Sequence, residues 1–143
     1  MPKVEQVTIL LVEDDPGHAR LIAKNLQRAS ITNEIIHLVN GQQAIDYLFD
    51  ETHTAPVLVL LDLNMPVLDG YQVLERIRAN DRTRRIPVVV LTTTDDVREV
   101  SRCYDLGCNV YITKPVDYQQ FSDAIRRLGL FLSVVTVPDG ESH

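Results

Sequence analysis

Cysteine is scarce in this chain, which holds only Cys103 and Cys108. Their spacing matches no zinc-ligand pattern and no histidine lies near them in sequence, which excludes a zinc finger. Both are expected as small buried apolar side chains in a reducing compartment. Positive charge is also in deficit: 14 Lys and Arg stand against 20 Asp and Glu, for a net charge of -6. That balance argues against nucleic-acid binding, which needs clustered cations. The one basic stretch, Arg76 to Arg85, is interrupted by Asn80, Asp81 and Thr83 and reads as a solvated face. No apolar run approaches the roughly 18 residues that span a bilayer. Met1 to Val7 has no apolar signal core, so a cytoplasmic protein without membrane contact is expected. A glycine-rich phosphate cradle is missing, which makes a nucleotide a poor candidate ligand. Repeats and low-complexity linkers are absent too. A single domain over residues 1–143 is expected, with a core over about 7–132 and an apolar extension over 133–143.

What is present is an alternation of short apolar runs and helical stripes. Val7 to Val12 reads as a buried strand, Val57 to Leu61 is the strongest strand signal, and Val88 to Leu91 is a further strand after Pro87. Glu34 to Leu38 and Val110 to Thr113 are weaker strands. Pro16 opens a first helix with Ala19, Ile22, Ala23 and Leu26 on one face. Asn40-Gly41 opens a second, with Ala44, Ile45 and Leu48 inward. A third carries Val73, Leu74 and Ile77. A fourth runs from about Asp95 to Leu106, and Gly107 stops it. Asp117 and Gln120 form a capping box for a fifth, striped by Phe121, Ala124, Ile125, Leu128 and Leu132. Five such units predict an α/β fold: a doubly wound five-stranded parallel sheet, for which the order 2-1-3-4-5 is one of the two common solutions, with ligands at the carboxyl ends of the strands.

The chemistry gathers at those ends. Strand 1 leads into Glu13, Asp14 and Asp15, strand 3 into Asp62, strand 4 into Thr92 and strand 5 into Lys114. Neighbouring strands lie about 4.8 Å apart, so the carboxylates should crowd and raise one another's pKa unless a cation joins them. Mg²⁺ suits such an all-oxygen site. A carboxylate beside it can act as a nucleophile towards phosphorus, while Lys114 and Thr92 are placed to hold phosphoryl oxygens.

The stretches ILLVEDD (Ile9 to Asp15), LLDLNMPVLDG (Leu60 to Gly70), VVVLTT (Val88 to Thr93) and YITKP (Tyr111 to Pro115) resemble the response-regulator receiver domain, a CheY-like fold that serves as a standard instance of this strand order. The resemblance implies that Asp62 is phosphorylated, that Asp14, Asp62 and the Asn64 carbonyl ligate Mg²⁺, and that Glu13 acts through water. It implies that Thr92 and Tyr111 form the switch, that Lys114 pairs with phosphate, and that the Lys114-Pro115 bond is cis. Two departures stand out. Thr93 occupies a position usually held by a small residue, and Asp15 makes the first acidic cluster unusually dense, so its share in metal binding is open. A narrower resemblance, through Asp46-Tyr47-Leu48 and the tail to Val137-Pro138, is to regulators paired with phytochromes. In that group two adjacent large aromatics often end the fifth helix; here the pair is Leu130-Phe131.

The expected function is a stand-alone acceptor that takes phosphoryl from a histidine kinase and signals through the fourth helix, fifth strand and fifth helix. Only five residues follow Pro138, so an output domain is not expected. That face and the apolar tail (Leu130, Phe131, Val134, Val135 and Val137) are expected to form a weak homodimer or dock the kinase. The competing enzyme reading is a Mg²⁺-dependent phosphohydrolase with an aspartyl-phosphate intermediate. Such enzymes carry a second acid two residues after the nucleophile, where this chain has Asn64, which cannot transfer a proton as a carboxyl does. A pseudo-receiver and a flavin carrier are weaker still: the full acid, Thr and Lys set opposes the first, and the acidic first loop would repel a flavin phosphate.

Overall fold

The structure is a computed structural model that describes residues 8–28, 33–52, 56, 58–65, 68–93, 95–114 and 117–127. Ten elements alternate along the chain: β1 (Thr8–Val12), α1 (Pro16–Arg28), β2 (Glu34–Leu38), α2 (Gly41–Leu48), β3 (Leu58–Asp62), α3 (Gly70–Ala79), β4 (Val88–Thr92), α4 (Val97–Asp105), β5 (Val110–Thr113) and α5 (Tyr118–Arg127). The strands form one parallel sheet of order β2-β1-β3-β4-β5. The predicted fold class and strand order are therefore those observed. Val7, Val57, the Lys114-Pro115 bond, Leu128, Leu132 and the whole tail with Leu130 and Phe131 lie outside the described residues.

Side chains of the three central strands leave alternately to the two faces, and both faces are covered. Ile9, Leu11, Leu58, Leu60, Val89 and Leu91 pack with Ala19, Ile22, Leu26, Phe121 and Ala124 of α1 and α5. Leu10, Val12, Val59, Leu61, Val88 and Val90 pack with Ala44, Leu48, Val73, Leu74, Ile77 and Cys103 of α2, α3 and α4. Two-sided burial is why these strands read as unbroken apolar runs rather than alternating ones. Both cysteines are free and buried in the second cluster, as expected of them.

The helix starts are encoded locally. Asn40 accepts from Gln43 N at 2.8 Å, Asp69 and Gln72 make a reciprocal capping box, and Asp117 accepts from Gln120 N at 2.7 Å. These caps satisfy amide donors that a helix cannot satisfy itself. Helix α4 is shorter than the predicted Asp95 to Leu106. Asp96 accepts from Arg98 N at 2.8 Å, which makes it the cap, and Leu106 closes the other end. Gly107 follows at φ +106°, a backbone angle that strains any residue with a Cβ.

The reading of Arg76 to Arg85 as a solvated face needs correction at Arg78. Its guanidinium is half-buried and donates to Gly107 O at 2.9 Å, Ile86 O at 2.7 Å, Arg84 O at 2.9 Å and Asn109 Oδ1 at 2.9 Å. Arg78 thus ties α3 to the segment entering β4 and to the turn between α4 and β5. Charge pattern alone treats arginine as a surface charge, whereas its rigid fork of donors also suits bare carbonyls at chain turns.

Candidate functional site

The carboxyl ends of β1, β3, β4 and β5 meet on one edge of the sheet. Glu13 follows β1, and its amide is held by Leu38 O at 2.9 Å, which turns the chain over the end of β2. His37 of β2 adds a contact from Nε2 to Glu13 O at 2.7 Å. The Glu13 side chain is buried, Asp14 is exposed and Asp62 is 4% exposed. Oxygens of Glu13, Asp14 and Asp62 lie within 4.8 Å of one another. Gly70 lets α3 start hard against this point, since a Cβ there would fall 2.5 Å from Asp62 O.

Asp15 stands apart from that trio. Its Oδ1 accepts from Gly17 N at 2.8 Å and from His18 N at 3.1 Å, so it caps α1. Those amides, His18 first, hold its pKa below the ordinary carboxylate value. The dense acidic cluster therefore divides into a group facing Asp62 and a helix cap.

Lys114 enters from the end of β5, its amide donating to Thr92 O at 2.7 Å. Its ammonium lies 2.6 Å from Glu13 Oε1, 3.1 Å from His18 Nδ1 and 3.6 Å from Asp62 Oδ2. Thr92 is fully buried, and its Oγ1 accepts weakly from Asn64 Nδ2 at 3.4 Å. Asn64 N also donates to Asp62 Oδ1 at 3.2 Å. Burial, and next the charge of Glu13, push the Asp62 carboxyl up to about 6 despite Lys114 nearby. This is the crowding anticipated from the strand ends. An all-oxygen trio with one member destabilised as an anion suits a hard divalent cation such as Mg²⁺ or Mn²⁺.

The sequence-level reading placed Glu13, Asp14, Asp62, Asn64, Thr92 and Lys114 together, and the fold gathers all six. Tyr111 lies further out. It is half-buried against the cluster that contains Cys103, and its amide donates to the Tyr104 hydroxyl at 3.2 Å. It also lines a groove of about 660 Å³ with Gln120, Asp123, Arg126 and Arg127. His18 was missed, because a lone histidine in the first turn of a helix carries no local signal of a partner 96 residues away.

Residues 9–126 match the family model for the response regulator receiver domain. The chain belongs to that family. Among relatives of this receiver, the response regulator Rcp1 of Synechocystis sp. (strain ATCC 27184 / PCC 6803 / Kazusa) is 39% identical over 142 residues, covering 96% of this chain and 94% of Rcp1. The bacteriophytochrome response regulator RtBRR superposes with a TM-score of 0.82 at 39% identity, covering 95% of this chain and 86% of RtBRR. A Mn²⁺-bound form of Rcp1 superposes with a TM-score of 0.74 at 37% identity, over 87% of the receiver and 93% of Rcp1. The phosphorylated cyanobacterial phytochrome response regulator RcpA gives a TM-score of 0.75 at 32% identity, over 95% and 100%. The receiver is thus a two-component signalling domain with phytochrome-associated relatives, as its sequence suggested. Among the described residues no helix is long and apolar enough to cross a membrane.

Proposed function

We propose that this receiver accepts a phosphoryl group on Asp62 from a histidine kinase of the phytochrome kind and signals by changing the face formed by α4, β5 and α5. The observation that carries the reading is the setting of Asp62. It is a buried carboxylate at a strand end, with two further acids within 4.8 Å and an ammonium at 3.6 Å. An Asp62 oxygen attacks the phosphorus of a phosphohistidine, the new O–P bond replaces the N–P bond, and the imidazole leaves with its electron pair and gains a proton. Lys114 pairs with one phosphoryl oxygen and Thr92 with another. Asp14, Asp62 and the Asn64 carbonyl would hold Mg²⁺, with Glu13 acting through water. When bound, the ion neutralises charge on the phosphoryl oxygens. Water later hydrolyses the acyl phosphate and restores Asp62.

Signalling follows from how loosely α4 is held. Cys103 is its one buried residue, and Val97 is 79% exposed. A helix with so little apolar anchorage can shift when Thr92 is drawn towards phosphate and Tyr111 follows. This acceptor role, rather than a phosphohydrolase, fits Asn64 at the position where such enzymes need a second acid. The two buried free thiols fit a reduced, cytoplasmic setting. The receiver is read as one domain over 1–143, and the apolar tail with Leu130 and Phe131 is read as the basis of a weak homodimer or a kinase contact. Nucleic acid and membrane have no part in this reading.

The test is incubation with acetyl phosphate and Mg²⁺, followed by mass spectrometry of the adduct. Acid-labile label on Asp62, lost in Asp62→Asn, supports the proposal; label at wild-type extent in that variant refutes it. Sedimentation of wild type and Phe131→Ala over a concentration series tests the dimer separately.

A further inference from the structure

We propose that His18 is a positioning residue for Lys114. Its imidazole acts as a second acceptor that aims the lysine's remaining N–H at Asp62 and at any phosphoryl group there. The inference rests on the reading of Lys114 as the phosphate-pairing lysine.

His18 lies in the first turn of α1, where its amide is held by Asp15 Oδ1 at 3.1 Å. The cap therefore sets where the imidazole sits. Its Nδ1 lies 3.1 Å from Lys114 Nζ. An ammonium has three donors and no acceptor, so a hydrogen bond here requires a lone pair on Nδ1 and the proton on Nε2, a tautomer in which Nδ1 does not donate to Glu13 Oε2 at 3.8 Å or Asp15 Oδ2 at 3.9 Å. The three donors of Lys114 then have distinct directions: Glu13 Oε1 at 2.6 Å, His18 Nδ1 at 3.1 Å, and Asp62 Oδ2 at 3.6 Å. With Glu13 as sole partner, the ammonium of a flexible four-carbon stem could swing about that single bond. Two acceptors at an angle remove that freedom and leave the third N–H facing Asp62. Pre-ordering of this kind acts on phosphoryl transfer because the donor is already aimed when charge reaches the site. The His18 side chain is 45% exposed, so its replacement does not open a core.

Initial rates of Asp62 labelling by acetyl phosphate in Mg²⁺ should be measured for wild type, His18→Leu, His18→Asn, Lys114→Ala and the double variant His18→Leu with Lys114→Ala. We expect His18→Leu to slow labelling about fivefold. His18→Asn, which returns an acceptor oxygen near the Nδ1 position, should recover most of that rate. In the Lys114→Ala background, His18→Leu should have no further effect, since its action runs through the missing ammonium. A second readout needs neither metal nor donor. The chain has three lysines, Lys3, Lys24 and Lys114. A proton–nitrogen correlation of their ammonium groups should show a slowly exchanging Lys114 signal in wild type and His18→Asn that is lost in His18→Leu. Wild-type labelling by His18→Leu, equal slowing in both backgrounds, or no recovery in His18→Asn would each overturn the inference while leaving the Lys114 reading intact. Wild-type labelling by Lys114→Ala would instead overturn the Lys114 reading, and this inference with it.

Discussion

Lys114 and Glu13 form a buried ion pair, 2.6 Å between Nζ and Oε1, across 101 residues of sequence. Neither side chain is more than 7% exposed. The lysine therefore compensates Glu13 first and Asp62, at 3.6 Å, only in part. A buried pair of this sort requires both partners, since removal of one strands the other charge away from water. It leaves Asp62 as the carboxylate whose ionised form is least supported, with consequences that can be measured.

The first concerns pH and stability without metal. The Asp62 carboxyl is raised to about 6, above its unfolded value of about 4. A raised folded pKa favours the protonated form, so its contribution is fully present below about pH 4 and is lost as pH rises through about 6. Asp62→Asn removes that loss. At pH 7.5 in chelator, the variant should be more stable than wild type by on the order of 2 kcal/mol, with the gap closing near pH 4. Urea unfolding of both proteins across this range measures it.

Binding of Mg²⁺ should couple to the same group. Because the ion requires the ionised carboxylate, its apparent affinity should fall about tenfold per pH unit below about 6 and level off above 7. Asp14→Ala should lose most of the binding and the metal-dependent labelling while keeping its fold, because Asp14 is exposed and packs against nothing in the core. The chain has no tryptophan, so calorimetry or amide chemical shifts are the suitable probes.

Thr92 is the buried hydroxyl of the set. Phosphorylation adds a charge of about -1.5 to -2 and new acceptor oxygens. Hydrogen exchange should then change in α4, where Cys103 alone is buried, and in the adjoining β5 of wild type. Thr92→Ala should still take label but show less than half of that change. An equal exchange response in the variant would exclude Thr92 as the link.

Arg78 should matter to stability and little to phosphoryl chemistry. Arg78→Ala removes the guanidinium from three backbone carbonyls and from Asn109 Oδ1, which keeps the Val88 amide at 2.8 Å, at a cost of about 2–4 kcal/mol. Arg78→Lys should recover only part, because one ammonium cannot reproduce a planar fork. Denaturant midpoints together with labelling rates distinguish this from a role at Asp62.

Much of this molecule was determined by its sequence alone. The strand order rested on the crossover rules and the family resemblance, but the five strands and the starts of α2 and α5 follow from local apolar periods and from the caps Asn40 and Asp117. Each of these acts within about four residues, so a short window contains the whole signal. The meeting of Glu13, Asp14, Asp62, Thr92 and Lys114 was equally legible, because parallel strands place all their carboxyl ends on one edge. Only the tertiary structure decided how those groups divide. It assigned Asp15 to the cap of α1, turned Lys114 to Glu13 and His18 ahead of Asp62, and drew Arg78 from the surface onto the carbonyls of Arg84, Ile86 and Gly107. Each choice joins a flexible stem or a ring to one of several similar partners, most of them far away in sequence. It is settled by distances and desolvation at the packed site, which no local pattern of residues encodes.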